Sequence, residues 1–175
     1  LAVDLRGRHL LTLRDLTPEE LHRLTETALH LKLERLRGQP HHLLAGKTLG
    51  MIFQKPSLRT RISFQVGMAQ LGGQAVYLGP DDIKLGERET TEDVATVLSR
   101  FVDGIMARVF GHEIVAELAE HSRVPVINGL SQWVHPCQVL GDLLTVWEKK
   151  RRFKGLKLVF LGDFNNVARS LIFGG

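Results

Sequence analysis

Short apolar runs alternate along the chain with longer segments in which apolar residues recur every three or four positions. The runs KTLGMIF at 47–53, QAVYL at 74–78, GIMARV at 104–109, VPVIN at 124–128 and GLKLVFLG at 155–162 read as buried strands. Their near-continuous apolar character suits strands covered on both faces. Helical periodicity fills the gaps. Thr17-Pro18-Glu19-Glu20 opens a helix with a capping threonine, proline at the first helical position and a glutamate placed to close a capping box, and that helix runs to Gly38. A second helix starts near Leu58, carries Ile62, Val66 and Ala69 on one face and ends at Gly72-Gly73. Residues Thr91–Phe101, His112–His121 and Pro136–Lys150 supply further helices. Strand followed by helix is the recurring unit, which predicts an α/β fold with a parallel sheet flanked by helices.

The last 25 residues, 151–175, predict a strand, a turn and the first part of a helix, the opening of a second α/β domain that is only begun. A lone strand and helix cannot bury both apolar faces. Either the helix packs back on the first domain, 1–150, or the chain is a fragment; the second reading is preferred.

Composition narrows the function. With 43% hydrophobic and 24% charged residues the 175-residue chain is expected to fold rather than stay disordered. The 23 basic and 19 acidic side chains leave a net charge of +4, too diffuse for a nucleic-acid surface and suited to a small anionic ligand. The basic run KKRRFK at 149–154 ends a long helix, where positive charge complements the helix dipole, and lacks stacking aromatics. A single cysteine, Cys137, excludes an internal disulfide and points to a reducing, cytoplasmic setting. Charges at Asp4, Arg6 and Arg8 interrupt the N-terminal apolar run, and the uncharged stretch Val124–Gly141 is too polar to span a membrane.

The candidate chemistry begins with FQKPSLRTR at 53–61. If Ser57 caps the helix starting at Leu58, the free N–H groups of the first turn converge with the Ser57 and Thr60 hydroxyls, and Arg59 adds a charge-assisted contact. Such a helix start suits a phosphate. The competing reading is an ordinary capped helix with surface arginines. In NGLSQWVHPCQ, 128–138, His135 and Gln138 lie three apart at the start of a helix just past a strand, where open α/β sheets carry ligand sites. Arg108 closes another strand. Cys137 has only His135 near it in sequence and reads as a small buried residue rather than a nucleophile.

Together these motifs resemble the aspartate and ornithine carbamoyltransferase family. Ser57-Leu58-Arg59-Thr60-Arg61 is similar to its S-T-R-T-R carbamoyl phosphate motif, and Phe53, Lys55, Arg108, HPCQ at 135–138 and GDFNN at 162–166 follow in the family's order. Asn128-Gly129-Leu130-Ser131 and GDFNN resemble the ornithine branch. Leu58 departs from the usual threonine, so only its backbone N–H can serve.

The resemblance implies a carbamoyl phosphate-binding domain over 1–150 and the start of an ornithine-binding domain over 151–175. It implies transfer of a carbamoyl group to the δ-amine of L-ornithine, without metal or cofactor, in a homotrimer or assembly of trimers. Ser57, Leu58, Arg59 and Thr60 would hold the phosphate. Arg108 and His135, with Thr60 shared, would polarise the carbonyl; Gln138 would accept from the carbamoyl NH₂; Asn166 would contact ornithine. Lys84, in the loop DDIKLGERET at 81–90, is the candidate for completing a neighbouring subunit's site. Other acceptors (putrescine, N-acetylornithine, aspartate) and a non-catalytic carbamoyl phosphate-binding module remain as alternatives.

Overall fold

The computed structural model describes residues 3–86 and 88–175. After a 3-10 turn at Leu13–Asp15 come α1 (Pro18–Leu36), β1 (Thr48–Phe53), α2 (Leu58–Gln70), β2 (Gln74–Leu78), the single-turn α3 (Pro80–Ile83) and α4 (Thr91–Leu98). They are followed by β3 (Gly104–Arg108), α5 (His112–His121), β4 (Val126–Leu130), α6 (Pro136–Lys150) and α7 (Asn166–Gly174). The helix starts follow the capping chemistry of the sequence. At α1 the Thr17 hydroxyl accepts from the Glu20 N–H at 3.2 Å and the Glu20 carboxylate accepts from the Thr17 N–H at 2.8 Å, closing the expected capping box.

The four strands form one parallel sheet in the order β2-β1-β3-β4. Met51, Ile52, Phe53, Ile105, Met106, Ala107 and Val126 are buried to 1% exposure or less, as a sheet covered on both faces requires. Each large side chain removed from water there contributes about 1.5–3 kcal/mol. β4 begins at Val126 because Pro125 has no N–H to give the ladder; its carbonyl still accepts from the Ile105 N–H at 2.9 Å. Leu10 bridges to Ile127 and covers the outer edge of β4. The order places a switch point between β1 and β3. From β1 the chain crosses outward to β2, and from β3 it crosses the other way to β4, leaving a crevice beyond the paired strand ends Phe53 and Arg108.

Three expectations are corrected. Residues 155–162 form no strand: Leu158, Val159, Phe160 and Leu161 are 56%, 69%, 41% and 91% exposed, and the run has no ladder partner among the described residues. An apolar sequence becomes a strand only where a neighbour can take its backbone bonds. The face of α2 bearing Ile62, Val66 and Ala69 is exposed; Phe64 and Met68, on another side of that helix, pack on Leu49, Met51, Phe53 and Met106. α4 stops at Leu98 rather than Phe101, which is 78% exposed. The closing helix α7 packs back on α6 and on the 3-10 turn. No described helix is long and apolar enough to cross a membrane.

Candidate functional site

The start of α2 sits beside the crevice between β1 and β3. Ser57 is its N-cap in an extended conformation, and its hydroxyl accepts from the Thr60 N–H at 3.4 Å. The N–H groups of Leu58 and Arg59 belong to the first turn, whose donors lack intrahelical acceptors, as at helix starts that bind anions. The Leu58 side chain is 75% exposed and takes no part.

Thr60 joins this turn to the sheet. Its hydroxyl oxygen accepts from the Ser57 hydroxyl at 3.1 Å and from Arg108 Nη1 at 3.3 Å. With both lone pairs occupied, its own O–H proton is left to donate outward to a ligand. Arg108 reaches this place because its register opposite Phe53, after an irregularity in the β3–β4 pairing at Ala107/Arg108, sets it at the strand end. Burial lowers the affinity of its guanidinium for the proton, and its buried Nε has no hydrogen-bond partner among the described residues. A desolvated cation with a spare donor calls for an anion or a polarised oxygen.

His135 is the N-cap of α6 and lies near enough to Arg108 to feel its charge. Burial first, and then the positive charge of Arg108, push its imidazole down to about 4. It is therefore neutral near pH 7 and acts by hydrogen bonding rather than by charge. Its buried Nδ1 has no partner among the described residues. Gln138, one turn on, is exposed and donates from Nε2 to Asp142 Oδ1 at 3.1 Å. Asp142 also raises the His135 proton affinity slightly against the two dominant effects.

The remaining predicted residues lie further out. Arg59 is exposed and pairs with no described residue, so its guanidinium stands free over the helix start. Arg61 turns away and lies over the Tyr77 ring, 4.0 Å from its centroid. Lys84, in the left-handed conformation at the end of α3, lines a cleft of about 480 Å³ with Phe53, Gln54 and Phe110 of its own chain. Asn166 donates from Nδ2 to the Ser131 carbonyl at 2.9 Å, while Asn165 caps α7. Cys137 gives its thiol proton to the Asn128 carbonyl at 3.4 Å, and burial pushes that thiol up to about 12, which suits a packing role and not a thiolate. A roomier apolar cleft of about 780 Å³, lined by Thr48, Gly104, Pro125 and Met68, opens at the opposite ends of the strands and holds none of this chemistry.

Two residues that sequence reasoning passed over hold the site in shape. Gln54 Oε1 accepts from the Phe110 N–H at 3.0 Å and ties the ends of β1 and β3 together. Ser131, fully buried, bonds His112 Nδ1 at 3.0 Å and both polar groups of the Val134 backbone at 3.3 Å, fixing the loop that leads to His135. In the sequence Ser131 is marked only as the last residue of the ornithine-like stretch Asn128-Gly129-Leu130-Ser131, with no structural role assigned to it.

Comparison with known proteins agrees with this arrangement. Residues 8–148 match the family described as aspartate/ornithine carbamoyltransferase, carbamoyl-P binding domain. All 175 residues align at 57% identity with the ornithine carbamoyltransferase of Pyrococcus abyssi, covering 55% of that protein. The structure of the Pyrococcus furiosus ornithine carbamoyltransferase superposes with a TM-score of 0.97 at 56% identity, over 99% of this chain and 55% of that one. The mitochondrial enzyme of Coccidioides immitis superposes at 0.88 and 41% identity, over 94% of this chain and 55% of its own. The chain thus spans about half the length of the curated relatives it matches. A phosphate-ready helix start, an arginine and a neutral histidine meeting at one switch point, and this match across the sheet that carries them, place the chain in the aspartate/ornithine carbamoyltransferase family.

Proposed function

We propose that this chain supplies the carbamoyl phosphate half of a cytoplasmic enzyme that transfers the carbamoyl group to the δ-amine of L-ornithine, giving L-citrulline and phosphate. The observation that carries this reading is the Thr60 hydroxyl, which accepts from both Ser57 and Arg108 and so joins an anion-binding helix start to a desolvated cation. The names of the relatives favour ornithine as the acceptor.

In the reaction the neutral amine attacks the planar carbamoyl carbon. A C–N bond forms, the C–O bond to phosphate breaks, and the proton shed by the nitrogen ends on the departing phosphate, leaving a neutral ureido group and hydrogen phosphate. Charge builds at the carbonyl oxygen and on the leaving phosphate. Ser57, Thr60, the N–H groups of Leu58 and Arg59, and the Arg59 guanidinium hold the phosphate. Arg108, the outward Thr60 proton and the neutral His135 ring donate to the carbonyl oxygen as it becomes tetrahedral, an oxyanion hole whose members are each worth about 10²–10³ in rate. Gln138 turns from Asp142 to accept from the carbamoyl NH₂ and fixes the face that is attacked. Asn166 contacts the amino-acid end of ornithine. Residues 1–150 make up the carbamoyl phosphate domain and 151–175 open the acceptor domain. The protein assembles as a homotrimer or a set of trimers, with Lys84 reaching a neighbouring site.

The test is ornithine-dependent phosphate release by the full-length protein, wild type beside Arg59→Ala. The expected result is turnover that requires ornithine, with apparent carbamoyl phosphate affinity weakened by about 2 kcal/mol in the variant, the low end for an ion pair because Arg59 is exposed. Unchanged affinity would remove Arg59 from the site, and phosphate release indifferent to ornithine would overturn the reading.

A further inference from the structure

The loop from Ser131 to His135 carries the catalytic imidazole, yet three of its backbone polar groups are held from outside by side chains of α7. Asn166 Nδ2 donates to the Ser131 carbonyl at 2.9 Å, Arg169 Nη1 donates to the Trp133 carbonyl at 2.7 Å, and the His135 N–H donates to Ser170 Oγ at 2.8 Å. Positions i, i+3 and i+4 share one helix face. Ser170 is 1% exposed, and its own proton goes to the Asn166 carbonyl at 2.8 Å, which leaves its oxygen turned to accept from His135. The Trp133 ring lies between His112, 4.6 Å away, and Phe173 of α7, 5.8 Å away. α7 also sits tightly on α6: a Cβ on Gly174 would come within 2.8 Å of Val139 Cγ1.

This matters because the His135 ring has little else to aim it. Its buried Nδ1 has no partner among the described residues, and as N-cap of α6 the residue makes no side-chain capping bond. A metal-free catalytic histidine is usually oriented by a bond to its second ring nitrogen. Here the backbone must do that work, and the bond that fixes the His135 backbone is supplied by Ser170.

We propose that Ser170 and Arg169 are positioning residues for carbamoyl transfer: through the backbone of the 131–135 loop they hold the His135 ring on the carbamoyl oxygen. The inference rests on the carbamoyltransferase reading above. It makes the first helix after the carbamoyl phosphate domain part of that domain's oxyanion site, while the phosphate cradle on α2 stays independent of it.

The experiment compares the full-length protein with Ser170→Ala, Ser170→Thr and Arg169→Met, reading kcat, the KM for carbamoyl phosphate, thermal unfolding and the NMR titration of the His135 ring. Ser170→Ala is expected to lower kcat about 10- to 100-fold, the scale of a small misplacement of a catalytic group. Its KM for carbamoyl phosphate is expected within about threefold of wild type, since the Ser57 turn is untouched. Ser170→Thr keeps the hydroxyl and restores most of the rate. Arg169→Met, which keeps chain length without the donor, lowers kcat about fivefold or more and carries the test if Ser170→Ala does not fold. In both impaired variants the His135 midpoint moves up from its low wild-type value as water reaches the ring. A lower melting temperature with kcat and the His135 midpoint unchanged would make α7 a structural prop only and overturn the proposal. If the wild type carbamoylates no acceptor, the reading beneath it fails, and the His135 titration still decides whether Ser170 and Arg169 position the ring: a shifted midpoint supports it and an unshifted one removes it.

Discussion

Replacing Thr60 with valine keeps the shape of the side chain and removes the one oxygen that links the helix start to Arg108. In the wild type that oxygen accepts at 3.1 Å from Ser57 and at 3.3 Å from Arg108, which leaves its proton free to donate outward, in the proposed function to the substrate. On the proposed mechanism Thr60→Val therefore deletes one donor to the developing oxyanion and also releases an arginine whose Nε already lacks a partner among the described residues. The donor alone is worth about 10²–10³ in rate, or about 2.7–4 kcal/mol. The freed guanidinium, desolvated by its surroundings, adds to that loss by sampling orientations that no longer face the carbonyl. Ground-state binding should suffer less, because the N–H groups of Leu58 and Arg59 remain. The assay is steady-state citrulline formation at saturating substrates, with carbamoyl phosphate affinity measured separately by calorimetry. We expect kcat to fall at least ~100-fold and affinity to fall less than ~10-fold, while Thr60→Ser, which keeps the hydroxyl and loses a methyl group with its χ1 stiffness, stays within about 10-fold of wild type. A Thr60→Val enzyme with kcat within about threefold of wild type would refute the bridging role.

Other substitutions probe separate parts. His135 is held neutral, with its value down to about 4 against 6.5 in the unfolded chain, so the unfolded state binds more protons between those limits. Its contribution is whole above pH 6.5 and disappears as pH falls toward 4, about 1–2 kcal/mol after allowance for a ring that is only half-buried. Denaturant titrations at pH 7 and pH 4.5 should show this loss in wild type and a smaller one in His135→Gln; equal losses would assign the acid sensitivity elsewhere. Cys137→Ala should leave kcat within about threefold, and abolished turnover would restore the thiol as a nucleophile. Gly129→Ala should destabilise by about 1–3 kcal/mol, because its Cβ would lie 2.5 Å from Met106 Sδ in the sheet; an unchanged melting curve would show that Met106 moves aside freely.

What could be read from the sequence was local. The strands at β1, β2 and β3, the Thr17 capping box and the Ser57 cap depend on residues within a few positions of each other, and the residue types there dictate the outcome. The failures were of context. Leu158–Leu161 has the composition of a buried strand, but a ladder requires a neighbour that no described residue provides. On α2, periodicity marked Ile62 and Val66, whereas the side that meets the sheet is set by how β1 and β2 are joined, and it is Phe64 and Met68 that pack there. The candidate site was legible as separate motifs, because Ser57, Arg108 and His135 stand at strand ends or helix starts. Their joining was not read from the residues themselves: the grouping of Thr60, Arg108 and His135 came from the family resemblance alone, because Arg108 finds Thr60 across 48 positions, and nothing pointed to Ser170, which finds His135 across 35. Such contacts follow from strand order and helix packing, which no short window contains.

The most direct test of the central claim is an acceptor comparison. Full-length protein and carbamoyl phosphate are incubated with L-ornithine, putrescine, N-acetylornithine or aspartate, and each carbamoylated product is quantified. We predict citrulline from ornithine, at a kcat/KM at least ~10²-fold above every other acceptor, on the scale that a site built to bond an acceptor's polar groups achieves. A preferred acceptor other than ornithine, or carbamoyl phosphate bound with no product from any of the four, would contradict it.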